Sequence, residues 1–501
     1  MNTKTRIATA LLAAVVAALP LLADDEVEPH TSGHPHSTSP DVRILPGEAD
    51  RSLFTNVVDD VSPYDAEEQL AIYGGKHMNK TSQPLLTRGI RLYDRGAYTP
   101  RPTWLGETNP INFGFLGYGD IRFAADAYDN GVPGPNGKTE QQAIAARLNL
   151  DLDVALTATE RFHAFVRPLD KNGSFTRYQF NNGSQDKFVD QFDFNLDTLF
   201  FEGDIGQLMG GFRNKAASFD LPIAIGRVPL FTQNGIWLQD AFDGGAVGIT
   251  AHNSPKFDIS NYDVTLFAGF NGVTTAAVPA GDKAKMAGAA GFADLRGGYA
   301  EWGYGYVRAN DDDLSYHNLT AAFSRRYFGL VANSIRAIGN FGQKGLPGQP
   351  KRADGVLLLL ENSFTRPNPV TVVPYVNLFA GFRHPQPLAR AGDIGGVLAN
   401  TGINFQSDGM TKYPNLDPFA QDSFGGAVGW EYLFNLQRQI VLEAATVQRF
   451  NGNHAGAQYA LGARYQHKIN NAWILRLDAM RGWIEGQNDV YGARIELRRK
   501  F

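Results

Sequence analysis

Charged side chains recur at every second position in two parts of this 501-residue chain. Asp151 and Asp153, then Asp193 and Asp197, stand in the first half; Arg464, Lys468, Arg476, Arg494, Arg498 and Lys500 stand in the second. Period two puts such residues on one face of an extended strand. Turned toward a water-filled space, an acidic and a basic sector would set up a transverse field that sorts polar and ionic solutes. The bland counterpart is a solvated face with partial pairing, as between Arg476 and Asp478, and Glu431 and Glu443 interrupt the basic sector. A second group surrounds one connection, where Gly226-Arg227, Asn234-Gly-Ile-Trp-Leu-Gln-Asp240 and Asp243-Gly-Gly245 follow one another. Arg227, Trp237, Asp240 and Asp243 there suit stacking on a sugar ring or packing of a constriction; an ordinary buried loop aromatic fits as well. The third group, His30, His34 and His36, lies near Asp24, Asp25, Glu26 and Glu28. Imidazole with carboxylate suits Zn or Cu, against the plainer reading of a solvated leader with nothing around it to orient the rings.

Catalytic apparatus is thin. No Gly-x-Ser-x-Gly elbow, phosphate-binding loop or His-Glu-x-x-His occurs, and His163, His252, His317, His384, His454 and His467 are scattered. With no cysteine, the chain can form no disulfide, Cys-ligated metal site or covalent haem link. A non-enzymatic protein without a cofactor is expected.

The elements that must position these residues are strands. Residues 491–501 alternate Tyr491, Ala493, Ile495, Leu497 and Phe501 on one face with Gly492, Arg494, Glu496, Arg498 and Lys500 on the other; Arg499 is the one breach. Four more strands precede it, at 424–434, 439–450, 457–469 and 473–483, joined alternately by short and longer, Gly-containing connections. Further upstream, Leu148, Leu150, Leu152 and Val154 alternate with Asn149, Asp151 and Asp153. Phe192, Phe194, Leu196, Thr198 and Phe200 alternate with Asp193, Asn195 and Asp197.

Counting every such segment gives about seventeen strands, where closed bacterial barrels use even numbers. The weak points are 161–170, which contains Pro168, and the Gly- and Ala-rich stretch 271–298. The expectation is an all-β, transmembrane, antiparallel up-and-down barrel of 18 strands, with 16 as the next choice, short periplasmic turns and long extracellular loops. A soluble sandwich or propeller shares the strand grammar, but no blade-length repeat is present.

Composition agrees. After Ala23 no apolar run reaches the ~18 residues of a spanning helix, mean hydropathy is −0.26, and Gly 54, Phe 33 and Tyr 19 are plentiful. Residues 1–23, with Lys4, Arg6 and an apolar run before Ala23, read as a signal peptide. Its loss removes two bases and no acids, moving net charge from −5 to −7, which gives no support to nucleic-acid binding. Residues 24–50 read as a disordered acidic, His-containing leader, 51–110 as a periplasmic arm or lumen plug, and 111–501 as the barrel. The long insertion 383–422 is expected outside the cell.

Two resemblances sharpen this. The closing aromatic, Phe501, resembles the C-terminal signal by which bacterial outer-membrane barrels are recognised for insertion. The run of Gly226-Arg227, loop, Asp243-Gly244 and strand is similar to one in alginate-export-type porins and related large outer-membrane channels. Leu152-Asp-Val-Ala-Leu-Thr-Ala-Thr-Glu-Arg-Phe162, a strand running into a Thr-Glu-Arg turn, looks like the same group. The resemblance implies a multi-pass barrel in the Gram-negative outer membrane. The Arg-rich lining of a polyuronate exporter is not evident, given Asp151, Asp153, Asp193 and Asp197, so no substrate carries over. The expected role is passive or weakly selective diffusion of small hydrophilic solutes. The alternatives are a barrel sheathing a partner such as a periplasmic cytochrome, or a receptor or adhesin using 383–422. Expected partners are the outer-membrane lipid bilayer, the insertion machinery through Phe501, and a possible second copy across the small outward residues Ala457, Ala463 and Ala479.

Overall fold

The computed structural model describes residue 82, residues 84–89, and residues 102–501 except 134–136, 172, 181–185, 280–282, 296, 366–371, 393–394, 402–414, 436 and 451–455. The expected signal peptide, the leader with His30, His34 and His36, and most of 51–110 lie outside the described residues.

Eighteen antiparallel strands follow one another around a closed wall: β1 Gly114–Asp129, β2 Glu140–Ala155, β3 Arg161–Val166, β4 Leu196–Asp204, β5 Pro222–Thr232, β6 Leu238–Ser254, β7 Ile259–Asn271, β8 Ala284–Leu295 and β9 Gly298–Ala309. The second half is β10 Tyr316–Tyr327, β11 Val331–Phe341, β12 Val356–Phe364, β13 Val372–Phe382, β14 Ser423–Asn435, β15 Arg438–Arg449, β16 Gln458–Lys468, β17 Trp473–Ile484 and β18 Val490–Lys500. β18 closes on β1 in a register running from Asp120↔Lys500 to Asp129↔Tyr491. Closing β18 on β1 pairs the two end strands, whose free N–H and C=O groups hydrocarbon would otherwise penalise by several kcal/mol each.

The strand missing from the sequence count is β8, inside the stretch 271–298. Its Ala287, Ala289, Gly291 and Ala293 fill the outward face with small side chains, so the apolar–polar contrast that marks a membrane strand is weak. The doubtful 161–170 is a strand only to Val166, and Pro168 stands just beyond its end. Ser174–Phe180 then continues the same line, pairing the outer part of β2 from Gln142↔Phe180 to Ala146↔Thr176.

Alternation sorts every strand. Outward-facing Phe123, Ile144, Leu319, Ile335, Leu358 and Leu442 are exposed in the protein alone, as a lipid-facing surface must be. The register places Arg499 outward too, and its guanidinium lies 5.7 Å from the ring centre of Trp473 at the end of the wall. A cation on an interfacial aromatic is the way this breach is accommodated. At the opposite rim Phe450 stacks on Phe382 at 5.2 Å and meets Phe424 at a tilt at 5.0 Å. The chain is therefore a transmembrane β-barrel of the outer-membrane type.

Both ends of the wall, Gly114 and Phe501, stand at one rim, where most connections are short, such as Pro255–Phe257 and 469–472. The other rim carries 272–283, 342–355 and 383–422. Short turns are periplasmic and long loops extracellular in such barrels. One periplasmic connection is long and carries helix α1, Ile205–Arg213, capped by the Asp204 carboxylate accepting from the Gln207 N–H at 2.8 Å. Leu86–Gly89 and the segment 102–112 also lie at this rim. The former pairs with Gly114–Gly117 of β1, and Asn112 N–H donates to Leu156 O.

Candidate solute pathway and its constriction

The lumen face is polar along the periplasmic half, and its charges are interlocked. On β16–β18 and β1, Arg464 and Arg476 both reach Asp478, at 2.7 and 2.8 Å. Arg122 grips Glu496 with two N–H groups, Arg494 contacts the same carboxylate, and Arg498 contacts Asp120. Neighbouring strands put several of these residues in direct register, Asp478↔Arg494 and Arg476↔Glu496 among them, so bases and acids sit opposite one another along the wall. Asp478 and Arg494 have fully buried side chains; at such depth a charge is tolerated because a partner is at hand. Glu443, on β15, receives the Tyr375 hydroxyl at 2.6 Å across Gly429, whose missing Cβ leaves room for the ring.

The acids of the first half lie next to this array. Asp151 and Asp153 face the lumen from β2, where Asp153 holds His163 Nδ1 at 2.5 Å and the Tyr118 hydroxyl at 3.1 Å. Asp193 and Asp197 are placed differently. Asp193 lies ahead of β4 and accepts from the Asn195 N–H; Asp197 sits at a bulge and is held bidentately by Arg167, at 2.9 and 3.1 Å. The bulge reverses the alternation expected for this strand. Phe200, an outward residue in the sequence pattern, stacks on His163 at 4.8 Å inside the lumen.

In the extracellular half two connections turn inward and meet. Residues 233–237, between β5 and β6, place Ile236 and Trp237 at 1% and 0% exposure. Trp237 Nε1 donates to Asn318 Oδ1 at 2.7 Å, and its ring meets Phe267 edge-on at 6.1 Å. From the other side, residues 386–392 and 395–401 of the long insertion run down into the barrel. Ala389 and Arg390 form a short parallel ladder with Leu238 and Gln239; Leu388 N–H donates to Trp237 O, and Tyr316 hydroxyl donates to Leu388 O. Arg390, 4% exposed, donates to Gly235 O, Ile236 O and Gly396 O, tying the two connections together. Among the described residues it makes no ion pair, and desolvation lowers its pKa to about 10.

Wall glycines make the space. A Cβ on Gly303 would stand 2.7 Å from the Trp237 ring, and one on Gly305 2.5 Å from Leu388. Beneath the Trp237 connection, Gln233 Oε1 accepts from Thr320 at 3.0 Å and from Arg336, which also reaches Glu301 at 2.8 Å.

The four residues singled out around this connection separate. Trp237 is buried where the two connections join, and Asp240 is buried beside it, accepting the Thr274 N–H at 2.6 Å. Arg227 and Asp243 pair with each other in the β5–β6 register, on the face away from the buried Val228 and Phe242. Sequence reasoning passed over Arg390, Gln233, Arg336 and Leu388. The available signals were Leu388, Val397 and Leu398, apolar residues in a loop assigned to water, and the lumen glycines of Gly303-Tyr-Gly305.

Two cavities flank the constriction. The extracellular one, about 550 Å³, is lined by Thr274, Val278, Arg352, Pro387, Arg390 and Phe419. The periplasmic one, about 540 Å³, is lined by Asn234, Ser334, Arg336, Glu361, Asn362 and Tyr375. The two cavities thus lie on either side of the level at which the two connections join.

No protein-family model matches the sequence, and no curated protein matches it. Solved barrels are similar in fold. OccK7 (OpdD) of Pseudomonas aeruginosa aligns at a TM-score of 0.49 and 10% identity, over 77% of this chain and 98% of its own. OccAB4 of Acinetobacter baumannii aligns at 0.48 and 9%, over 77% and 98%. Wzi of Escherichia coli, described as a carbohydrate-binding outer-membrane barrel of group 1 capsule assembly, aligns at 0.44 and 12%, over 76% and 85%. These are likenesses of the chain path, and nothing about solute follows from them.

Proposed function

We propose that the protein is an outer-membrane diffusion channel for small hydrophilic solutes, with its waist set by residues 233–237, 386–392 and 395–401. The observation that carries this reading is the joining of those two connections inside the lumen, between two cavities. Passage is filtered by size at Trp237 and Leu388, and by charge at Arg390 above and at Arg336 with Glu301 below. The interlocked charges of the periplasmic half leave little bare field of one sign, which supports weak rather than strict selectivity. A barrel sheathing a cytochrome needs a clear bore, whereas here the chain's own loops occupy the extracellular half. A receptor or adhesin using 383–422 needs that insertion presented outward, whereas its described residues 386–392 and 395–401 turn into the lumen. Purified protein in a planar bilayer tests the proposal: discrete, ohmic open-channel steps are expected, and their absence would sink it.

A further inference from the structure

On the outward face, at the extracellular end of the wall, Lys285 of β8 stands directly opposite Arg308 of β9. Both side chains are exposed. Like charges directly opposed across a ladder are destabilising unless something of opposite sign sits between them. Lys285 makes no ion pair among the described residues, and Arg308 has only a long contact, 3.6 Å, to the exposed Asp312.

Immediately toward the membrane lies an aromatic shelf on the same outward face. Tyr304 and Tyr306 of β9 stand in register with Leu319 and His317 of β10. The His317 ring stacks on Phe341 of β11 at 5.2 Å and meets Tyr306 at a tilt at 4.7 Å, and the Tyr304 hydroxyl bonds His317 Nδ1 at 2.8 Å. Aromatic rings of this kind sit at headgroup level. Two cations are thus held just above the level where acyl chains meet headgroups, over rings that can lie along a chain.

We propose that Lys285 and Arg308, with the shelf of Tyr306, His317 and Phe341, form a binding site for a phosphate-bearing lipid of the outer leaflet. The phosphate bridges the two cations, relieving their repulsion with charge-assisted hydrogen bonds, and an acyl chain runs over the rings below. The site lies on the outside of the wall and is independent of solute passage. Of the acids in the loop above, Asp312 lies 3.6 Å from Arg308 and Asp313 is engaged by Lys344 at 3.0 Å.

The test uses the full-length protein in detergent and native mass spectrometry. The probes are diphosphorylated lipid A, the same lipid A with its phosphates removed, and inorganic phosphate. Wild type should retain the phosphorylated lipid at least tenfold better than either other probe. Lys285→Gln with Arg308→Gln should abolish that preference, while Lys256→Gln at the periplasmic rim leaves it intact. Equal retention of the two lipids by wild type overturns the phosphate site without recourse to any variant. Equal retention by wild type and the double variant overturns these residues, and binding of inorganic phosphate alone overturns the lipid as occupant.

Discussion

The ring of Trp237 lies over Gly303, so close that a Cβ on that glycine would stand 2.7 Å from it. An aromatic of the β5–β6 connection and the wall strand β9 are therefore fitted to each other through a missing methyl group. Gly303→Val would push the ring off the wall, at the roughly 1–3 kcal/mol typical of overpacking. Smaller single-channel conductance in a correctly assembled barrel is the expected outcome, because a ring displaced from the wall moves toward the bore. Gly339→Ala, where a Cβ meets nothing within 4 Å, should leave conductance unchanged. If both behave alike, Trp237 does not set the waist.

Arg390→Met keeps the stem of the side chain and removes the donors to Gly235 O, Ile236 O and Gly396 O. The two connections would remain joined by the short ladder Leu238↔Ala389, but without the clasp. Open-channel current noise should rise, with mean conductance higher than wild type. Unchanged noise would mean that the ladder alone fixes the constriction.

The barrel wall was far more legible in the sequence than what fills it. Period-two alternation is a direct consequence of strand geometry between lipid and water, so strands such as β18 and β2 could be read with their inward Arg494 and Asp151. β8 escaped because Ala and Gly face outward along it. The bulge at Asp197 reversed the expected face of Phe200, since one extra residue flips every side chain beyond it. Inward folding of 386–392 and 395–401 depends on contacts far apart in the chain, Leu388 with Gly305 and Arg390 with Ile236, which no local pattern encodes.

At the periplasmic rim Glu160 is 1% exposed and accepts from Asn109 Nδ2 at 2.9 Å, from Thr159 at 2.8 Å, from Thr157, and from the Asp204 N–H at 3.2 Å. Burial pushes this carboxyl up, but the hydrogen bonds from Thr157, Asn109, Thr159 and Asp204 together hold it below its ordinary range. Its stabilisation is then complete above the unfolded carboxylate value of about 4.3 and is lost as pH falls through the lower folded value. Glu160→Gln should cost about 2 kcal/mol at pH 7, and the gap to wild type should close in acid. Thermal unfolding followed from pH 7 to pH 3 checks the sign: a gap that widens in acid refutes it.

Orientation can be read with impermeant thiol reagents, because the native chain has no cysteine. Gln349→Cys, exposed in the long connection 342–355, should be labelled on intact cells. Asn471→Cys, exposed in the short turn 469–472, should react only after the outer membrane is opened. The reverse pattern would invert the barrel, and with it the leaflet assigned to Lys285 and Arg308.

Phe501 and Leu497 separate recognition from energetics at the end of β18. Phe501 exchanges backbone hydrogen bonds with Gly119 at 2.8 and 3.0 Å, and a change of its side chain leaves both in place. It stands at the periplasmic rim, where a charge on the lipid face costs only ~0–1 kcal/mol. Leu497, in register with Phe123 and Leu475 on the lipid face, lies deeper; lysine there approaches the ~2–4 kcal/mol of a midplane charge. On stability alone, Leu497→Lys should therefore lower the yield of heat-modifiable barrel more than Phe501→Asp. If the terminal aromatic is read by the insertion machinery, Phe501→Asp should deplete the outer membrane at least as strongly as Leu497→Lys. Its purified, refolded barrel should nonetheless unfold close to wild type. Wild-type levels of membrane-embedded Phe501→Asp protein would remove the C-terminal signal from the account and leave the fold untouched.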